Sequence, residues 1–212
     1  MKSAEKIKSL SMGSMLIFLL SLLVACTSEV PSPTQYFFLE TPSALETGKS
    51  NSSKHPVSLL LKKVDSVSPF NTTNFAVKIR PSEVRFYNYA KWVSPPQDML
   101  NHYFLKSLAF SKLAEIAASR SGKDAYHIEM EVQEFGQTLE NNRPYGSIRM
   151  FIGIRYAQSK THDWYTVYHE KELAKSDRPY DVVVALNRAL TQLNQKFLKD
   201  LDSFIASQPS VR

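Results

Sequence analysis

The segment from Val182 to Phe204 constrains the fold of this chain more than any other stretch. Val182, Leu186, Ala189, Leu190, Leu193, Phe197, Leu201 and Phe204 recur at steps of three and four, which places them on one apolar stripe of a helix. Pro179 near its start and Pro209 beyond its end bound ~27 residues, roughly 40 Å at 1.5 Å per residue. A stripe of that length needs an apolar surface of matching length to cover it.

Three alternating runs just upstream supply that surface. Tyr126, Ile128, Met130 and Val132 alternate with His127, Glu129, Glu131 and Gln133. Ile148, Met150, Ile152, Ile154 and Tyr156 alternate with Arg149, Phe151, Gly153 and Arg155, and residues 164–172 complete the set. Period two marks half-buried strands, and the short connections favour an antiparallel meander. Further strands are expected at residues 36–39, 58–67, 74–80 (Phe75, Val77 and Ile79 on one face) and 82–88 (Val84 and Phe86 inward). Residues 42–56 read as a polar surface loop. Ser94-Pro95-Pro96-Gln97 opens a first long helix, with Ser94 as cap and Pro95 at the first helical position. Its apolar face is Met99, Leu100, Tyr103, Phe104, Leu108, Leu113 and Ile116, and Gly122 is the expected stop. This helix is long enough for a parallel crossover. The fold class is therefore mixed α/β, one mixed sheet flanked by two long helices.

At the other end, residues 15–24 (MLIFLLSLLV) follow Lys2, Lys6 and Lys8 and run into Ala25 and Cys26, the single cysteine of the chain. A positive start, a short apolar run and a small residue before the cut make a secretory signal. Ten residues are too few for a transmembrane helix, which needs about 20. Leu23-Val24-Ala25-Cys26 resembles the bacterial lipobox, where signal peptidase II cuts and Cys26 receives acyl chains such as palmitate. A lone cysteine forms no internal disulfide, which fits a thiol kept for acylation. The expected division is a signal peptide over 1–25, an acylated cysteine and short tether over 26–35, and a single domain over 36–207. Residues 27–35 reach about 30 Å at most, at about 3.3 Å per residue. Removing the leader takes three lysines and one glutamate, so the formal charge of +6 falls to about +4. The basic residues are scattered, without the stripe that nucleic-acid binding needs.

A search for reactive chemistry yields little. His55, His102, His127, His162 and His169 stand at no metal-ligand spacing, and a zinc site has no second cysteine to use. No G-x-S-x-G elbow or phosphate-cradling glycine cluster occurs, so no catalytic, cofactor or metal site is assigned. His127, Glu129, Glu131 and Gln133 share one strand face. That pattern fits a carboxylate–histidine site, or, more simply, a polar face paired across the sheet with Arg149 and Arg155, with Glu129 near Gly153 or Arg155. Tyr87, Tyr89 and Trp92 are candidate interface aromatics, with core packing as the plainer reading of aromatics in general.

The order of these motifs resembles a known family. A lipobox is followed by Tyr36-Phe37-Phe38-Leu39, by Asn74-Phe75-Ala76-Val77-Lys78-Ile79-Arg80, by Tyr87-Asn88-Tyr89-Ala90-Lys91-Trp92-Val93-Ser94-Pro95-Pro96 with Met99-Leu100, and by a long closing helix. This resembles the ABC-type transport auxiliary lipoproteins, which include the lipoprotein of the paraquat-inducible system; the chain looks like a divergent member, similar over about residues 34–206. Trp92 is the most specific marker. The resemblance implies an α/β sandwich similar to the amino-terminal domain of TolB and to anticodon-binding domains. It implies a non-enzymatic role beside an ABC permease, its ATPase and an MCE protein, moving lipids or other hydrophobic molecules between membranes, and self-association into a homo-oligomer, as rings in some members. It offers no catalytic residues. Thr27, where an aspartate would favour inner-membrane retention in the enterobacterial sorting rule, implies the periplasmic face of the outer membrane. An outer-membrane regulator of a cell-wall synthase is the alternative, although the tether is short for crossing peptidoglycan. An envelope enzyme is a third reading without a motif to support it.

Overall fold

The structure, a computed structural model, describes residues 33–41, 55–117 and 125–208. The leader, Leu23 to Cys26, most of the 42–56 stretch and Gly122 lie outside the described residues. In chain order, β1 (Gln35–Phe37), β2 (Ser58–Leu61), β3 (Asp65–Ser66), β4 (Asn74–Arg80) and β5 (Glu83–Trp92) precede helix α1 (Pro96–Ser111). Strands β6 (Glu115–Ile116), β7 (Ala125–Glu140), β8 (Arg143–Tyr156) and β9 (Trp164–Leu173) precede helix α2 (Pro179–Ser207). The strands join in one mixed nine-stranded sheet.

Strand β7 organises that sheet. One edge pairs antiparallel with β8 from Tyr126 opposite Tyr156 to Glu140 opposite Arg143, and β8 pairs antiparallel with β9. The β7–β8 turn is Asn141-Asn142, both at positive φ (51° and 59°), as a two-residue hairpin that follows the twist of its strands requires. The other edge of β7 is divided among three short parallel strands: β2 at residues 125–128, β3 at 131–132 and β4 at 137–138. Beyond them β4 carries β5 antiparallel, β5 carries β1 parallel, and β2 carries β6 parallel.

The apolar stripe of α2 is buried throughout, against the inner face of the meander, where Ile128, Met130, Val132, Ile148, Met150, Ile152 and Ile154 are sealed. The helix backbone comes close to the sheet at Gly146. A Cβ there would sit 2.3 Å from the Leu186 backbone nitrogen, so only a glycine lets the helix settle onto β8. Helix α1 meets α2 through Phe104 and Phe197, edge to face at 6.0 Å, and through the buried hydroxyl of Ser107, which donates to Asn194 Oδ1 at 2.7 Å.

The early strands and α1 depart from expectation in several places. The run 58–67 is two strands: β2 ends at Leu61, and β3 regains β7 at Glu131 and Val132. In β5 the register jumps, with Lys91 opposite Asn74 but Phe86 opposite Ala76. The two halves are therefore out of phase; Phe86 lies exposed and Ala90 and Trp92 are the buried residues. Helix α1 starts one residue late, with Pro95 as cap, Pro96 at the first helical position and no side-chain cap from Ser94. It also stops early, because Lys112 turns left-handed (φ 55°). Leu113 is buried beyond the helix and Ile116 pairs in β6 beside Leu59, so the tail of the apparent helical stripe serves a strand. Nor does α1 join parallel neighbours, since β5 runs antiparallel to β4, the strand that lies parallel to β7.

Candidate functional site

The face of β7–β9 turned away from α2 carries two clusters of paired polar side chains, around Glu129 and Glu134. Glu129 stands opposite Gly153. Arg155 Nε donates to its Oε1 at 2.8 Å, and His162 Nε2 lies 3.0 Å from its Oε2. His162 comes from the β8–β9 connection and lies over Gly153, where a Cβ would meet its ring at 2.5 Å. Its ring packs edge-on against Phe151 at 5.5 Å. Arg155 Nη1 also donates to the Ser159 carbonyl at 3.1 Å. Burial pushes the Glu129 carboxyl up, but hydrogen bonds and charge from Arg155 and His162 outweigh it and hold the group below its usual value. The cross-strand pairing expected for Glu129 is thus the arrangement found, and it fastens the β8–β9 connection to the sheet.

Sequence patterning missed the more buried cluster, centred on Glu134. The register of β7 slips between Val132 and Glu134, so Gln133 is an extra residue and Glu134 falls opposite Arg149. Only 5% exposed, Glu134 accepts from Lys78 Nζ at 2.5 Å, Ser147 Oγ at 2.5 Å and Thr138 Oγ1 at 2.8 Å. Burial raises this carboxyl, yet the three donors and the Lys78 charge leave it below its usual value. His169 lies close by, and burial together with the Lys171, Arg149 and Lys78 charges holds its imidazole below its usual value, against the pull of Glu134. The signal in the sequence was a phase slip: Gln133-Glu134 puts two polar residues between Val132 and Phe135 in an otherwise alternating run.

Serine, histidine and carboxylate come together here, but not in a relay. Ser147 Oγ gives its proton directly to Glu134, and a single nitrogen, His169 Nε2, lies 3.4 Å from Ser147 and 3.8 Å from Glu134. A nucleophilic serine needs the base on its own proton and the carboxylate behind the base. Ser147 is also fully buried, out of reach of a substrate. The arrangement suits a rigid polar brace.

The remaining residues singled out by sequence are dispersed. His55 bonds Asp202 at 2.8 Å, and His102 is exposed on α1. Among the described residues no group of three metal-type ligands assembles. Trp92, read as an interface candidate, is a core residue: it is 1% exposed, stacks on Phe75 at 4.5 Å and meets Phe135 at 5.0 Å. Tyr87 is half-buried, donating to Gln137 Oε1 and close to the Asp177 carbonyl. Burial, with the Tyr89 and Asp177 charges, pushes its phenol up to about 12. Of the three aromatics Tyr89 is the exposed one. A groove of about 550 Å³ follows the outer side of α2 between Tyr180, Asn187, Arg188 and Gln195, with Glu40 at its rim. No helix among the described residues is long and apolar enough to cross a membrane.

Residues 37–197 match the family model of the ABC-type transport auxiliary lipoprotein component. Among solved structures, the chain is similar to protein XCC0632 from Xanthomonas campestris, of the family model DUF330, at 18% identity and a TM-score of 0.65, over 80% of this chain and 99% of that one. A second similar structure, described as an uncharacterized protein, shares 13% identity at a TM-score of 0.62, again over 80% of this chain and 99% of the other. At these identities the likeness is one of fold. No curated protein is a significant match.

Proposed function

The chain belongs to the ABC-type transport auxiliary lipoprotein family, and from that premise we propose that it is a non-enzymatic accessory of an envelope ABC system that moves lipids or other hydrophobic molecules. In this reading signal peptidase II cuts before Cys26, and the acylated cysteine ties the domain to a membrane. Thr27 directs it to the periplasmic face of the outer membrane. There it docks, as a homo-oligomer, with an MCE protein served by a permease and an ATPase. The observation that carries the reading is the family match beginning at residue 37, just after a lipobox ending at Cys26. The two carboxylate clusters, around Glu129 and the buried Glu134, fit a non-enzymatic role, because their side chains are spent on one another.

Affinity capture of the tagged full-length protein from crosslinked membranes tests the partners. Recovery of an MCE-domain protein with an ABC permease is the expected result. Recovery of a cell-wall synthase without them would overturn the reading. Cys26→Ala should abolish fatty-acid labelling and shift the protein out of the outer-membrane fraction while leaving its thermal transition unchanged.

A further inference from the structure

The β1 edge of the sheet exposes aromatic side chains that core packing does not explain. β1 ends the strand order, paired on one side with β5. Phe37 and Leu39 pack on the core, so alternation turns Tyr36 and Phe38 the other way, where they are 62% and 59% exposed. On β5, Ala90 and Trp92 are buried, which puts Lys91 and Val93 on that same outer face, Val93 being 54% exposed. Tyr36 lies opposite Lys91, and the Val93 N–H donates to the Phe37 carbonyl at 2.9 Å, which sets Val93 beside Phe38. Phe38 also borders a cleft of about 220 Å³ shared with α1, lined in part by His102 and Lys106. Neither Lys91 nor Lys106 has a carboxylate at ion-pair distance among the described residues. Large exposed rings on the first strand of the domain, beside lysines of β5 and α1 that are unpaired among the described residues, make a surface of mixed apolar and basic character.

We infer that this face contacts the bilayer, with Tyr36, Phe38 and Val93 entering the headgroup region and Lys91 and Lys106 meeting the phosphates of anionic lipids. The inference rests on Cys26 being the acylated residue. Only residues 27–34 then separate the lipid from β1, a span of at most about 28 Å and, for a flexible chain, roughly 16 Å on average. β1 is thus held where its outer face can reach the membrane. Aromatic rings favour the layer between water and hydrocarbon, lysines reach from there to headgroups, and a short tether raises the effective concentration of the surface.

The test uses the mature chain from residue 26 with Cys26→Ser, so that binding cannot come from the acyl group. Its cosedimentation is measured with vesicles of phosphatidylethanolamine containing phosphatidylglycerol. Binding that weakens with salt is expected. It should fall about tenfold in Tyr36→Ser/Phe38→Ser and severalfold in Lys91→Glu, with thermal transitions unchanged in all. No binding by the parent, or equal binding by parent and double variant, overturns the inference. So does a double variant that changes oligomer size while vesicle binding stays intact, because the face would then belong to a second copy of the chain. Failure of the acylation reading shows separately, as absence of fatty-acid labelling at Cys26 in the native protein.

Discussion

Under α2, strands β7, β8 and β9 present Ile128, Val132, Ile148, Met150, Ile152 and Ile154, all sealed from water. On the opposite face of the same strands stand Glu129, Glu134, Arg155, Ser147 and His169, each tied to named partners at hydrogen-bond distances. The first face is held by area: its contacts are non-directional and nearly indifferent to pH. The second is held by geometry, so each member depends on the others and on its charge. One sheet therefore has a face that tolerates conservative repacking and a face that tolerates titration poorly.

The largest effect should come from the apolar face. Phe197→Ala removes a fully buried ring that meets Phe104 and should lower stability by about 3–5 kcal/mol, read as a lower denaturation midpoint at unchanged slope. On the polar face, Glu134→Ala strands Lys78 beside a cavity, and a loss of about 2–3 kcal/mol is expected. A loss as small as that of a surface ion pair would break the contrast between the two faces. The pH dependence sharpens it. Glu134 and His169 both have folded values below their ordinary 4.5 and 6.5, so the unfolded chain protonates first on each as the medium acidifies. Stability contributed by Glu134 is present in full above about pH 5 and is lost as pH falls through its depressed value. The His169 contribution starts to decline earlier, as pH falls through the ordinary histidine value of 6.5 toward its depressed folded value. In urea titrations from pH 8 to pH 3, His169→Gln should flatten the upper part of that decline and leave the lower part, whereas Glu134→Gln should flatten the lower. The smallest effect belongs to Glu129→Gln. Its pairs are part-exposed, so a change under about 1 kcal/mol is expected. Amide exchange should nonetheless quicken across residues 157–163.

How far these features could be read from the sequence differs by region for a physical reason. The meander and α2 obey one period each over long stretches, so their pattern identifies strand, helix and buried face together. Even the pairing of Glu129 with Arg155 follows from alternation in a hairpin. The early strands share the edge of β7 in pieces, at residues 125–128, 131–132 and 137–138, a division that a local pattern does not record. Leu113 and Ile116 continued a helical spacing, but Lys112 broke the helix and the apolar residues were used in another way. Glu134 was hidden by a one-residue slip, and Trp92 by its setting among exposed aromatics, although its ring is a core element between Phe75 and Phe135. Gly146 matters through the close approach of Leu186, forty residues on, and Gly153 through that of His162 from the next connection, neither of which a local pattern shows.

The divided edge of β7 also bears on the order in which the chain can acquire structure. β2, β3 and β4 hydrogen-bond to a strand that begins at Ala125, more than fifty residues after the first of them ends at Leu61. During synthesis from the amino terminus these segments have no template until β7 emerges, and the inner face of β7 in turn has no cover until α2 follows. Such long sequence separations slow folding. A chain of this design stays open while it is being made, and closes only when its last third arrives.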